Sequence, residues 1–100
     1  MKEPIRVAID SDLKELIPGF LENRRNDVRR LHGALASLDF ETMRTLGHRM
    51  RGDGGGYGFD GISSIGHAIE RAATDRNIED VTTAVEELTR YLDRLEVVYE

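Results

Sequence analysis

One hundred residues with a net charge of −5 and no cysteine are enough for one domain around one core. The absence of cysteine excludes disulfides and thiolate metal sites, and the acidic balance argues against a nucleic-acid-binding domain, which is normally basic. No apolar run approaches the roughly 20 residues that cross a bilayer, and Met1–Asp10 lacks the apolar centre of a secretion signal. A single cytoplasmic domain over residues 1–100, without a membrane or nucleic-acid partner, is expected.

Taken in chain order, Ile5–Ile9 alternates briefly, but no second segment pairs with it convincingly. Ser11 is placed to cap a short N-terminal helix carrying Leu13, Leu16 and Ile17. Pro18 either ends that helix or occupies the first turn of the next. Phe20, Leu21, Val28, Leu31, Leu35 and Leu38 then recur at three- and four-residue steps. They mark a long amphipathic helix with Arg24, Arg25, Arg29 and Arg30 on its wet side. Asp39 caps the next helix, where Met43, Leu46, Gly47, Met50, Gly54 and Tyr57 share a face. A break follows near Gly58–Gly61, with Asp60 as the cap of a helix carrying Ile62, Ile65, Ile69, Ala72 and Ala73. Asn77 with Asp80 resembles a capping box. The last helix carries Val81, Val85, Leu88, Leu92 and Leu95, and is read on through Val98 and Tyr99. The expected fold class is all-α: an antiparallel up-and-down four-helix bundle preceded by a short N-terminal helix. Small residues on the middle helices would let their axes approach closely.

The stretch "LGHRMRGDGGGYGF" (Leu46–Phe59) is weak as helix, since each interior glycine costs about 0.5–1 kcal/mol relative to alanine. With Met43 at zero on a helical wheel, His48 lies about 140° away, so it faces outward. Gly52 sits one turn ahead of it. Helical side chains lean toward the N-terminus, so a larger residue at 52 would cover the imidazole. Gly55 and Gly56 extend the clearing, and Gly58 suits a helix end. A neutral imidazole is a good nucleophile near pH 7. Arg44 and Arg51 lie beside it on the outer surface and would stabilise phosphoryl oxygens. A bare ring among cations therefore suits phosphoryl transfer onto a ring nitrogen.

The segment "HRMRGDGGGYGF" resembles the phosphoacceptor segment of histidine-containing phosphotransfer (HPt) domains, whose motif reads roughly His-x-Leu-Lys-Gly with a further glycine ten positions after the histidine. His48, Met50, Arg51, Gly52 and Gly58 stand at those positions. "ISSIGHAIERAA" (Ile62–Ala73) looks like the next helix of the family, with Ile69–Glu70 at its usual Leu-Glu. "LIPGFLENRRNDVRRLHGAL" also resembles family members, so the likeness covers nearly the whole chain. Arg51 stands where lysine is usual and keeps the charge as a planar fork. Asp53 replaces a small polar residue.

The resemblance implies a carrier in a multistep phosphorelay that is not itself a kinase. His48 would be the phosphoacceptor, on Nε2. It would take the group from a receiver aspartyl phosphate or a kinase and pass it to a response-regulator aspartate. Arg51 and Arg44 would orient or neutralise the phosphoryl group, Gly52, Gly55 and Gly58 would supply access, and Arg49 would contact a partner. Partners would be receiver domains of response regulators or hybrid histidine kinases. No cofactor of its own is implied, because the magnesium that such transfers need belongs to the receiver. A monomer suits that role. Phe20 and Leu21 are candidates for an apolar docking surface, and Arg24 and Arg25 for contact with an acidic receiver.

Plainer readings apply elsewhere. His67 projects outward without a glycine ahead of it and reads as a surface residue. His32 borders the apolar stripe and reads as a boundary histidine. Three histidines on three helices, with no Glu-x-x-His pair, do not make a metal site. Ser63 and Ser64 have no adjacent base. The glycine run lacks the Gly-Lys-Ser/Thr ending of a phosphate loop. The alternative function is a helical adaptor that binds receiver or kinase domains without being phosphorylated.

Overall fold

In the computed structural model, which describes residues 3–100, a strand β1 (Ile5–Ile9) leads through a 3-10 turn (Ser11–Leu13) into four helices. These are α1 (Ile17–Ser37), α2 (Phe40–Gly56), α3 (Asp60–Thr74) and α4 (Ile78–Arg94), and a second strand β2 (Leu95–Tyr99) follows. α1 packs on α2 and α4, while α3 packs on α2 and α4, which closes the bundle. Leu31, Met43, Met50, Ile62, Ile69, Val81 and Leu88 have no exposed surface and form its centre. Burial of each such side chain contributes roughly 1.5–3 kcal/mol.

Caps read from the sequence are present where short polar side chains meet helix starts. Asp39 accepts the Thr42 N–H at 3.1 Å, and Asn77 accepts the Asp80 N–H at 3.1 Å while donating to its carboxylate. α2 ends in a Schellman motif. Gly58 takes φ +91°, its N–H donates to the Gly55 carbonyl at 3.1 Å, and the Phe59 N–H donates to that of Gly54 at 2.7 Å. Asp60 is the first residue of α3 rather than its cap; Phe59 holds the cap position without a side-chain bond.

Three expectations about the chain ends need correction. The short N-terminal helix is one 3-10 turn, capped by Asp10 rather than Ser11. Pro18 lies in the first turn of α1, where its missing N–H is no loss, so only a turn remains before it. The fold is not all-α, because β1 pairs in parallel with β2, Ile5 opposite Leu95 and Ile9 opposite Tyr99. The last helix stops at Arg94, and Leu95 is extended. An isolated pair of strands is marginal. Here Ile9 is buried and Val7, Leu95, Val97 and Tyr99 lean on the core, and the whole bundle serves as the crossover that parallel strands require.

α1 departs from its simple amphipathic reading at Arg24, which is buried rather than on the wet side. Arg24 Nε lies 3.0 Å from Asp27 Oδ2, and Nη1 lies 3.4 Å from Asp53 Oδ2 on α2. The guanidinium covers the Phe20 ring, 4.9 Å from its centroid. Phe20 is core as well, stacked on Tyr57 at 4.4 Å between centroids and on Phe59 at 5.5 Å, so it offers no docking surface. His32 is exposed rather than packed at the boundary. Burial pushes the Asp27 carboxyl above its ordinary range, although Arg24 beside it pulls the other way. A raised carboxyl pKa favours the folded state in acid, and that advantage fades as pH rises through the folded value. Arg24→Met would leave Asp27 without its buried partner, at an expected cost of about 2 kcal/mol at neutral pH and less in acid. Urea unfolding at two pH values measures it.

Candidate functional site

Glycines let the backbones of α2 and α3 approach each other closely. A Cβ placed on Gly47 would stand 2.6 Å from Glu70 N, one on Gly54 would stand 2.6 Å from Ser63 N, and one on Gly66 would stand 2.6 Å from Arg51 N. Residue 47 therefore meets 70 and residue 54 meets 63, so these two helices run in opposite directions. The glycines that weaken α2 as an isolated helix allow this approach, as expected from small residues on the middle helices.

His48 follows Gly47 and points away from the core, with its side chain 67% exposed. The ring is not free at both nitrogens. Nδ1 lies 2.8 Å from Glu70 Oε2 on α3, and the second carboxylate oxygen of Glu70 accepts from Arg51 Nη1 at 3.2 Å. Glu70 is only 18% exposed in its side chain, so it is a fixed acceptor between two outward groups. The hydrogen bond from His48 is the main reason that its carboxyl titrates below its ordinary value near 4.5, with Arg51 adding to the effect. A lowered carboxyl pKa means stability present above the ordinary value and lost as pH falls through the folded one. The His48–Glu70 contact should thus persist through the neutral range and fail only in acid.

A carboxylate at Nδ1 selects the tautomer with the proton on Nδ1. The lone pair of Nε2 then faces solvent. A Cβ on Gly52 would meet nothing within 4 Å, so residue 52 presents open space one turn ahead of the ring. Gly55 is different: a Cβ there would stand 3.3 Å from Ser63 Oγ. Gly58 belongs to the helix end, and a Cβ on it would stand 2.9 Å from Ile9 Cδ1 of β1.

The cations are distributed unevenly. Arg51 shares Glu70 with His48. Arg44 is exposed on the same side of α2 and pairs with Glu41 at 3.0 Å instead. Arg49 is exposed and lies toward α1, where its charge acts on Asp27. His67 is exposed, as read from the sequence, and lines a shallow depression with Arg51, Glu70 and Arg71. Among the described residues, no three His, Asp or Glu side chains are grouped to hold a metal ion, and no helix is long and apolar enough to cross a membrane.

A family model described as Hpt domain matches residues 15–97. The chain belongs to the Hpt domain family. Membership carries a phosphotransfer role in phosphorelay signalling and interaction with receiver domains. A search of curated proteins and a search of solved structures found no match. The Hpt match begins after β1, takes in all four helices and ends within β2.

Glu70 is the residue of this candidate site that the outward face of α2 could not reveal. Its only sequence signal was its place beside Ile69 in the family resemblance. Glu70→Ala should slow phosphoryl uptake by about tenfold to a hundredfold, because the ring loses the acceptor that sets its tautomer and orientation. Imidazole nitrogen chemical shifts should show the Nδ1–H form falling in the same variant.

Proposed function

We propose that this Hpt domain is a histidine phosphocarrier of a multistep phosphorelay. His48 accepts a phosphoryl group from a receiver aspartyl phosphate or a kinase and passes it to a response-regulator aspartate. The supporting observation is the exposed ring whose Nδ1 is held by Glu70, with open space at Gly52 one turn ahead.

The lone pair of Nε2 attacks phosphorus, and the bond from phosphorus to the donor oxygen breaks, which returns the aspartate carboxylate of the donor. Attack places positive charge on the ring, and the Nδ1 proton directed at Glu70 is where that charge is met. The Arg51 guanidinium, anchored by the same carboxylate, stands beside the incoming oxygens. Return of the group to a receiver reverses these steps. The receiver supplies the magnesium, and the domain needs no cofactor and has no kinase activity of its own. Docking is transient, as exchange between partners requires, and a monomer satisfies it.

The test is incubation of the protein with phosphoramidate and, separately, with a phosphorylated receiver, read by intact mass. One acid-labile phosphoryl group is expected from each donor, transferable to a fresh receiver. If receiver phosphate is lost while the domain never gains mass, the carrier reading is wrong and the domain acts as a phosphatase partner. Binding of the receiver without phosphate movement would make it an adaptor.

A further inference from the structure

Ser63 has no adjacent base and takes no part in the chemistry above, yet its hydroxyl ties α3 to the helix that carries His48. Ser63 Oγ donates to the Arg51 carbonyl at 2.7 Å and accepts the Gly55 N–H at 2.7 Å. A carbonyl at residue i and an N–H at i+4 are the two groups that bond to each other in a regular helix. The turn of α2 that begins at Arg51 is thus bridged by a side chain of α3. Such a bridge is one of the few causes that bend or fix a helix locally. Gly54 and Gly55 are its condition, since a Cβ at either would stand 2.9 Å or 3.3 Å from the hydroxyl oxygen.

Arg51 is held at two points by one face of α3. Ser63 takes its carbonyl and Glu70 takes its guanidinium, and between them Gly66 leaves room for the Arg51 backbone, since a Cβ there would stand 2.6 Å from Arg51 N. The spacings of three and four residues place Ser63, Gly66 and Glu70 along one side of a helix. The same turn of α2 carries Gly52, the open position ahead of His48.

We infer that Ser63 is a positioning residue for phosphoryl transfer. Its hydroxyl holds the Arg51 and Gly55 backbone, and so sets where the Arg51 guanidinium stands relative to the His48 ring. Ser63 touches neither the ring nor the phosphoryl group. This role rests on His48 being the phosphoacceptor. A hydroxyl that only glued two helices together would change stability and leave transfer rates alone.

The experiment compares wild type, Ser63→Ala, Arg51→Ala and the double variant at equal donor concentration, with phosphoramidate and with a phosphorylated receiver, alongside thermal melts. Ser63→Ala should stay folded and accept phosphoryl about tenfold more slowly from both donors. The double variant should be no slower than Arg51→Ala, because the effect of Ser63 runs through Arg51. A folded Ser63→Ala protein with the wild-type rate overturns the inference, as do two single effects that simply multiply. Should Ser63→Ala fail to fold, Gly55→Ala replaces it, because its Cβ displaces the hydroxyl without deleting it. Slower transfer by folded Gly55→Ala supports the inference, and an unchanged rate overturns it. Wild type that gains no phosphoryl group at His48 removes the carrier reading and the role of Ser63 together. Wild type that gains one while Ser63→Ala matches it removes only the latter.

Discussion

His48→Gln protein should take up no acid-labile phosphoryl group from either phosphoramidate or a phosphorylated receiver, while His67→Gln protein gains one like wild type. The first outcome follows from chemistry that glutamine cannot supply. Its amide nitrogen has no available lone pair, so no bond to phosphorus forms, although the side chain still fits the exposed position. The fold should be untouched, since His48 contributes a solvent-facing ring and one hydrogen bond. The control matters because His67 lies in the same depression as Arg51 and Glu70. Its ring has none of the hydrogen bonds that position His48. Loss of phosphorylation in the His67 variant, with His48→Gln still labelled, would reverse the assignment of the acceptor. Intact mass at neutral pH and after brief acid treatment reads both variants.

Gly66→Ala should destabilise the bundle by about 3 kcal/mol, which for a domain of this size lowers the melting temperature by roughly 15 °C. The added Cβ would stand 2.6 Å from Arg51 N, 2.7 Å from Met50 Cβ and 2.8 Å from Gly47 O. None of these is the end of a flexible side chain, so α3 must move off α2 as a unit. That movement also separates Glu70 from His48, and the residual folded protein should transfer phosphoryl slowly. Gly33→Ala supplies the contrast. Gly33 is exposed within α1 and a Cβ there meets nothing within 4 Å. The same substitution should stabilise by about 0.5–1 kcal/mol through helix propensity and a less flexible unfolded chain. Equal effects at both positions, measured by calorimetry, would contradict the close backbone contact of α2 and α3.

The glycines show how far local reasoning reaches. Read along the chain, Gly52, Gly55 and Gly56 form one clearing around His48, and Gly58 ends the helix. In the folded molecule Gly52 and Gly56 open onto empty space. Gly55 makes room for Ser63, and Gly58 turns the chain at a left-handed φ and meets β1. Gly47, Gly54 and Gly66 bring two backbones together. A glycine announces that a side chain is unwelcome; which neighbour makes it so depends on another element.

Apolar spacing alone located four helices, because a 3.6-residue period is a property of one segment. Polar caps such as Asp39 and Asn77 were equally legible, since each bonds within a few residues of itself. The outward direction of His48 followed from the same geometry. Tertiary structure decided the rest. Ile5–Ile9 became a strand because Leu95–Tyr99, at the far end of the chain, lies beside it. Arg24 left the wet face of α1 because Asp27 and Asp53 receive its charge. Glu70 and Ser63 meet His48 and Arg51 because the packing of α3 on α2 sets them there. Periodicity states which face of a helix is buried. The register between two helices comes only from their packed side chains and backbones, and that register places Glu70 against the His48 ring.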